Sequence, residues 1–159
     1  MILDFGAAWS AGQIVKSLQG HWRIDRSLQN IGSPYPSLAG TMKGFACFDS
    51  RGGIQTACTE RGVLTLENGR SVHSSCSWYS RAQGGHIYIY FDSQQTRVFH
   101  VLKLMESASE VIYAESTHLC NADRYDSRYE FPGNGRFSVT HIVNGPRKSY
   151  VSCTPYHRL

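Results

Sequence analysis

Several features that define common protein classes are missing from this sequence of 159 residues. It has no glycine-rich phosphate loop and no dinucleotide-binding fingerprint, which argues against dependence on ATP or NAD. No serine lies in a nucleophile-elbow context, so hydrolase chemistry of that kind is not expected. No apolar stretch approaches the length of a membrane span, and the N-terminus lacks the basic and apolar regions of a secretory signal. These absences predict a protein that works away from membranes.

Charge is also scarce. Charged residues make up 18% of the chain, the net charge is only +4, and the basic side chains are scattered. The longest basic run is Arg147-Lys148. Because nucleic-acid-binding proteins concentrate their basic residues on one face or element, no nucleic-acid partner is predicted.

The cysteines form no recognisable framework. They are odd in number, far apart and without a Cys-x-x-Cys pair, which argues against a disulfide scaffold and a structural zinc site. We expect reduced thiols and a cytoplasmic location. The five are Cys47, Cys58, Cys76, Cys120 and Cys153.

One short helix is predicted near the start of the chain. Ser10 and Gln13 have the spacing of a capping box, and Gly20 is a stop signal. In a barrel, this helix would lie across one open end.

Everything after Gly20 is typical of strands separated by turns. Asn68-Gly69 predicts a two-residue type I′ hairpin turn, which needs positive φ at both residues. Gly62 indicates a bulge or a sharp bend. The predicted strands are 20–27, 39–49, 53–67, 70–81, 85–92, 96–104, 110–120, 122–132, 135–144 and 147–158.

Consecutive hairpins without intervening helices predict an all-β, antiparallel up-and-down barrel of about eight to ten strands. We expect one domain over residues 1–159, with the N-terminal segment and helix in 1–19 and the barrel in 20–159. The segment 33–36 is interpreted as a connecting loop.

Gly20-His21-Trp22, directly after the helix, resembles the Gly-x-Trp signature of lipocalins. That resemblance implies that Trp22 closes the barrel floor and that an arginine of the last strand, here Arg158, stacks on its ring. A guanidinium over an indole face is a favourable cation–π contact.

A wider resemblance covers about Gly20 to Arg158. The sequence is similar to an uncharacterised domain family of bacteria and some eukaryotes that is expected to be lipocalin-like (calycin). Cys58 and Cys76 depart from its pattern, because an aromatic residue is common at both positions. The resemblance implies the fold and points to positions, but assigns no reaction. It rests on Gly44-x-Ala46-x-Phe48, Glu60-x-Gly62-x-Leu64-x-Leu66, His118-x-Cys120-x-x-Asp123-x-Tyr125 and Gly145-Pro146-Arg147-Lys148-x-Tyr150.

Glu60 is the ionisable residue whose predicted position is most unusual. Strand alternation places it on the face of Leu64 and Leu66, unless a bulge at Gly62 reverses the faces. An interior carboxylate is costly unless it is paired or protonated. Glu60 is therefore either a general acid or base, an anchor for a cationic group, or a partner in an ion pair with an arginine such as Arg61 or Arg97.

Three neighbouring strands direct polar aromatic residues inward by the same alternation: His118, Tyr125 with Tyr129, and His141. Trp78 and Tyr90 are expected to line the wall. The faces of 85–92 and 96–104 stay open, and one choice turns His100 inward. Lys148 completes the expected ligand-contacting set.

An apolar barrel with a few ionisable groups is suited to bind one small, polyfunctional organic molecule and to exclude water. The leading hypothesis is acid–base catalysis without a cofactor, such as isomerisation, cyclisation or dehydration. His118 and Glu60 would act as acid and base, with Tyr125 beside them and Tyr129 and His141 orienting the substrate. The alternative is a carrier or sensor that leaves its ligand unchanged, with haem held by one histidine as a variant. The oligomeric state is left open.

Overall fold

The computed structural model describes residues 9–32 and 39–159. The predicted loop 33–36 and the first eight residues of the predicted N-terminal segment lie outside the described residues. One helix precedes an antiparallel sheet of eleven strands. The elements are α1 (Ala11–Ser17), β1 (Gly20–Asn30), β2 (Gly40–Ser50), β3 (Gln55–Leu66), β4 (Ser71–Gln83), β5 (His86–Tyr90), β6 (Val98–Lys103), β7 (Met105–Glu106), β8 (Ile112–Cys120), β9 (Asp123–Gly133), β10 (Arg136–Asn144) and β11 (Ser149–Arg158).

The sheet curls into a nearly closed barrel, which confirms the predicted all-β class. Its strand order is β6-β5-β4-β3-β2-β1-β11-β10-β9-β8-β7, so the two outermost strands are separated along the chain by Leu104 alone. The chain itself therefore completes the ring at that residue. β6 and β8 have no ladder between them, and Phe99 and His118 face each other there with ring centroids 5.2 Å apart.

Helix α1 begins with the predicted capping box. Ser10 Oγ accepts a hydrogen bond from the Gln13 backbone N–H, and Gln13 Oε1 accepts one from the Ser10 backbone N–H. Ile14 and Val15 are buried, and the helix packs on β3, β4 and β5. It covers one end of the barrel because its apolar side needs an apolar surface to pack against.

The barrel floor beneath α1 is a cluster of aromatic rings. Trp22 contacts Phe137 edge to face at 4.9 Å, and Tyr156 stacks on Phe137 at 4.0 Å. The Arg158 guanidinium lies 4.2 Å from the centre of the Trp22 ring, which is the stacking that the Gly-x-Trp resemblance implies. Arg158 also donates hydrogen bonds to the Gln19 and Ser17 carbonyl oxygens. A side chain at Gly20 would meet Arg158 Nη1 at 2.9 Å.

The turn at Asn68-Gly69 differs from the predicted type I′ turn. Gly69 has a φ of +84°, but Asn68 is not among the residues with positive φ. The Leu66 N–H donates to the Arg70 carbonyl oxygen, so three residues form the loop. A glycine at its last position supplies the left-handed conformation that such loops need.

The bulge considered at Gly62 is absent. β2 and β3 pair in one continuous register from Gly40↔Leu66 to Ser50↔Thr56, with Gly44 opposite Gly62. The two strands approach closely there, since a Cβ on Gly44 would lie 2.1 Å from the Arg61 carbonyl oxygen. The alternation of β3 is therefore unbroken, and Glu60 shares the inner face with Leu64.

Within residues 9–32 and 39–159, no helix has the length and apolar character that crossing a bilayer requires.

Candidate functional site

The half of the barrel away from α1 contains a cavity of about 330 Å³. Most of its lining is apolar or aromatic, and it extends from the aromatic floor to the opposite end of the barrel. The residues that line it are Arg26, Leu28, Met42, Glu60, Leu64, Ser74, Cys76, Ser77, Trp78, Ile89, Tyr90, Phe91, Phe99, Tyr125, Tyr129, Val139, His141, Val143, Tyr150, Ser152, Thr154 and Tyr156.

A buried ion pair lies in the cavity wall. Arg26 Nη2 donates to Glu60 Oε2 at 2.6 Å, and the Tyr156 hydroxyl donates to Glu60 Oε1. Arg26 Nε donates to Thr154 Oγ1 at 2.6 Å. Both oxygens of the Glu60 carboxylate are thus hydrogen-bonded, which offsets the cost of burying this charge.

The partner of Glu60 is Arg26, and not Arg61 or Arg97 as considered from the sequence. Arg61 follows Glu60 directly, so it points to the outer face and is exposed. Arg97 lies in the exposed segment before β6. Arg26 reaches Glu60 across β2, where the inward-facing position between the two strands is Gly44 and carries no side chain.

The charges of this network shift the pKa values of its members. Burial opposes the charged form of Arg26, but the charge and hydrogen bond of Glu60, together with its other neighbours, raise the pKa of Arg26. Burial, reinforced by the Glu60 charge, raises the pKa of Tyr156 well above its usual value. Tyr156 is therefore a neutral donor to Glu60 at neutral pH.

His141 is the histidine that lines the cavity. Its Nδ1 forms a 2.5 Å hydrogen bond with Ser127 Oγ on the neighbouring strand β9. Its Nε2 has no hydrogen-bond partner among the described residues. Burial, aided by the Arg26 charge, lowers the pKa of His141 to about 4, so the ring is neutral at pH 7.

Tyr129 and His100 form a second buried pair. The Tyr129 hydroxyl and His100 Nδ1 are 2.8 Å apart, and Tyr129 lines the cavity whereas His100 lies outside the lining. The choice of faces in β6 is settled, because His100 and Leu102 are buried and Val101 is exposed. Burial and the nearby His141 and His118 lower the pKa of His100 to about 3.

His118 shares the inner face of β8 with the buried Ala114, but it does not line the cavity. Its ring packs at the edge of the barrel against Phe91, Phe99 and Tyr125, with ring centroids 5.4, 5.2 and 6.4 Å away. The structure therefore does not bring His118 and Glu60 to one surface of the cavity. The role predicted for His118 stays a prediction.

Tyr125 lines the cavity, and Lys148 holds it from outside. Lys148 Nζ donates to the Tyr125 hydroxyl at 2.9 Å and forms an ion pair with Asp123 at 3.0 Å. These two contacts raise the pKa of Lys148. Lys148 does not line the cavity, so it positions Tyr125.

The cavity opens beside β4. Trp78 and Tyr90 both line the wall, with Trp78 packed edge to face on Phe48 at 5.2 Å. β5 pairs with only the last five residues of β4, so residues 71–78 have no strand on that side among the described residues. Exposed lining residues, Cys76, Ser77 and Phe91, mark the opening.

Three residues of the hydrogen-bonded network around Glu60 were not predicted, namely Arg26, Thr154 and Tyr156. A signal was present in β1, because Trp22, Ile24, Arg26 and Leu28 alternate on one face. The same alternation in β11 joins Ser152, Thr154 and Tyr156. All except Ile24 and Trp22 line the cavity.

Comparison with known proteins identifies one family model. The family described as "Family of unknown function (DUF6314)" matches residues 18–158. No curated protein matches the chain.

Among the solved structures that resemble the chain are three designed β-barrels, each with 10% sequence identity. A redesigned β-barrel covers 96% of this chain and 99% of its own, with a TM-score of 0.48. The redesigned barrel mFAP1, solved bound to DFHBI, covers 91% and 97% with a TM-score of 0.48. A de novo designed fluorescence-activating β-barrel covers 91% and 96% with a TM-score of 0.41. The finer prediction of a lipocalin-like barrel stays a prediction.

Proposed function

This chain belongs to the DUF6314 family, which is of unknown function, and from the geometry of its own cavity we propose that it binds a small, mostly apolar organic molecule inside the barrel. The observation that carries the proposal is the combination of volume and lining. A cavity of about 330 Å³ lies at the small end of the range of ligand pockets. Most of its wall is apolar or aromatic, and its two charged side chains, Arg26 and Glu60, lie together, as in sites that orient a ligand.

Part of the polar lining comes from β1, β10 and β11. Arg26, His141, Tyr150 and Ser152 belong to it, and the opposite walls carry Trp78, Ile89, Phe91 and Phe99. A molecule with one polar end and an aromatic or aliphatic body matches this division. Binding would remove the exposed ring of Phe91, which is 42% accessible, from water.

Native mass spectrometry of the freshly purified protein tests the proposal directly. We expect a non-covalent adduct that is lost on denaturation and is extractable into organic solvent. Titration with the neutral dye N-phenyl-1-naphthylamine provides a second readout, since its fluorescence rises in an apolar cavity.

A pair of variants on β4 controls this experiment. Ser74 lines the cavity and its neighbour Ser75 is exposed on the outer face. Ser74→Trp should reduce adduct and dye uptake at least tenfold, whereas Ser75→Trp should leave both unchanged. The proposal would be contradicted if no adduct is found and if Ser74→Trp takes up as much dye as wild type.

A second candidate function, acid–base catalysis on the bound molecule, is favoured by His141. This residue lines the cavity, is neutral at pH 7, and has an Nε2 without a hydrogen-bond partner among the described residues, so it can accept a proton. Glu60 is less available than the sequence suggested, because Arg26 and Tyr156 occupy both of its oxygens. Once the adduct is identified, its conversion by wild type and by His141→Asn decides between turnover and simple binding.

Haem held by one histidine is the alternative to a small organic ligand that the sequence analysis considered. The visible spectrum of the same preparation tests it, because a Soret band that disappears in His141→Asn would support haem, and a featureless spectrum would reject it.

We also propose that the protein works in a reducing compartment such as the cytoplasm. Its five cysteines are all free thiols, and Cys58 is buried among apolar groups. Titration of the denatured protein from cytoplasmic extract should find five reactive thiols, and fewer would argue against the proposal.

A further inference from the structure

The ligand-facing member of the buried ion pair is Arg26. The side chain of Glu60 is 3% exposed and that of Arg26 is 20% exposed. Glu60 accepts hydrogen bonds at both oxygens, so it has little left to offer a ligand. A guanidinium carries five N–H groups. Those of Arg26 bind Thr154, Glu60 and, weakly, Met42 Sδ at 3.6 Å. Among residues 9–32 and 39–159, one N–H on each terminal nitrogen therefore has no partner.

The wall around these free donors carries no net charge. Arg26 and Glu60 compensate each other, and burial raises the pKa of Tyr129, Tyr150 and Tyr156, which keeps these hydroxyls neutral. His141 is neutral at pH 7 because burial and the Arg26 charge lower its pKa to about 4. Lys148, behind Tyr125, is compensated by Asp123 at 3.0 Å.

Because the charges in the cavity wall cancel, the charge of a ligand's hydrogen-bond acceptor affects how well the ligand binds. A carboxylate beside Arg26 would leave one uncompensated negative charge in a mostly apolar space, close to the Glu60 carboxylate, and that is costly. A carbonyl oxygen satisfies the free donors of Arg26 and adds no charge. An apolar molecule without an acceptor leaves those donors unpaired on binding.

We infer that the cavity selects an uncharged, mostly apolar molecule that carries a carbonyl-type acceptor, with Arg26 donating to that oxygen and Glu60 excluding carboxylates. This inference rests on the proposed function, because it assigns a ligand class to the same cavity. Arg26 and Glu60 then have different roles in specificity. Arg26 donates hydrogen bonds to the acceptor of the ligand, and the negative charge of Glu60 disfavours an acceptor that is itself negatively charged.

Three fluorescent probes with one skeleton test the assignment. They are 2-(dimethylamino)naphthalene with hydrogen, propionyl or carboxylate at position 6, titrated at pH 7.5. Wild type should bind the propionyl ketone at least tenfold more tightly than either of the others. A carboxylate that binds as tightly as the ketone, or an unsubstituted probe that does so, would overturn the inference and leave the proposed function standing. Failure of all three to bind would overturn the proposed function, and the inference with it.

Glu60→Gln tests the charge balance with an almost isosteric change. The amide oxygen can still accept from Tyr156, but Arg26 becomes uncompensated. The carboxylate probe should then bind at least tenfold more tightly than to wild type, so that the ratio of ketone affinity to carboxylate affinity falls. Unchanged discrimination against the carboxylate would refute the role of Glu60.

The double variant Arg26→Met with Glu60→Gln removes the donor without stranding a buried carboxylate. It should bind the ketone and the unsubstituted probe equally, within threefold. Near-ultraviolet circular dichroism checks that each variant is folded. If a variant does not fold, the ranking of the three probes by wild type decides the inference alone.

Discussion

Arg26 and Glu60 are a pair in which each side chain makes the burial of the other tolerable. Glu60 is almost completely buried, and its carboxylate receives hydrogen bonds from Arg26 and Tyr156. Removing one partner from such a pair leaves an uncompensated charge, which costs more than the intact pair contributes. The pair therefore constrains which substitutions the cavity wall can accept.

The first prediction concerns the stability of this pair. Arg26→Met should lower the free energy of unfolding by about 3 kcal/mol, because it strands the Glu60 carboxylate. Adding Glu60→Gln should restore at least half of that loss. Urea unfolding measures the free energy of unfolding of wild type, of Arg26→Met and of the double variant.

A surface pair on the same strand is the control. Arg23 and Asp25 are 3.2 Å apart and both are exposed, so Arg23→Met should change stability by less than about 0.5 kcal/mol. An Arg26→Met effect as small as that of Arg23→Met would mean that the Glu60 charge is not buried as described.

The second prediction concerns pH. The pKa values of His100 and His141, about 3 and about 4, lie below the usual value of 6.5. Between pH 6.5 and 4 the unfolded chain therefore binds protons that the folded protein does not. As far as these two histidines are concerned, the free energy of unfolding is therefore highest above about pH 6.5. It decreases as the pH falls, by up to about 1.4 kcal/mol per pH unit for each histidine.

Urea unfolding at pH 7.5, 6.5, 5.5 and 5.0 measures this slope. His100→Asn and His141→Asn should each flatten it, because asparagine retains a hydrogen-bonding group but does not titrate. A slope that is the same in wild type and both variants would assign the acid sensitivity to other groups.

At the scale of elements, the last strand ties the helix to the barrel. Arg158 at the end of β11 stacks on Trp22 of β1 and donates to carbonyl oxygens at the end of α1. The Trp22 indole N–H donates to the Leu18 carbonyl oxygen at 2.8 Å. The helix end is thus capped by two side chains that come from opposite ends of the barrel sequence.

The third prediction is that Arg158→Met lowers the free energy of unfolding by about 1 to 2 kcal/mol, through the lost cation–π contact and hydrogen bonds. Arg158→Lys should recover only part of this lost free energy of unfolding, because an ammonium group cannot stack and donate in the same planar geometry. Arg136→Met, at an exposed position on β10, is the control and should be close to neutral. Thermal unfolding followed by circular dichroism compares the three, and equal effects at both arginines would contradict the capping role.

At the scale of the whole molecule, the barrel has a packed end and an open end. Trp22, Phe48, Phe137 and Tyr156 fill the end under α1, whereas the cavity occupies the other half. Local stability follows contact density and backbone pairing, so the two halves should differ in it.

The fourth prediction is that hydrogen exchange reveals this division. Peptides from 71–78 should exchange faster than peptides from 137–143. β10 is paired on both sides, whereas this part of β4 is paired on one side among the residues that the structure describes. Mass spectrometry of peptic fragments measures the difference. A bound ligand should slow exchange in 71–78, and uniform protection across the two regions would contradict the description.

Patterns within a few residues of each other were enough to predict most of the architecture. The capping box at Ser10 and Gln13, the two-residue alternation of Tyr125 and Tyr129, and the positions of the turns between strands are local signals. The sequence determined them because each depends only on residues that are close together in the chain. The short β7 was not predicted, because a strand of two residues is too brief to leave a pattern.

Only the tertiary structure decided which interior residues meet. Arg26 reaches Glu60 across β2 because of the register and the bare position at Gly44, and neither can be deduced from the spacing of 34 residues between them. His118 and Glu60 share the inward orientation but not the cavity, since orientation is set within one strand and proximity by how the whole sheet curves. Local alternation thus determined which side chains turn inward, and barrel closure determined their neighbours.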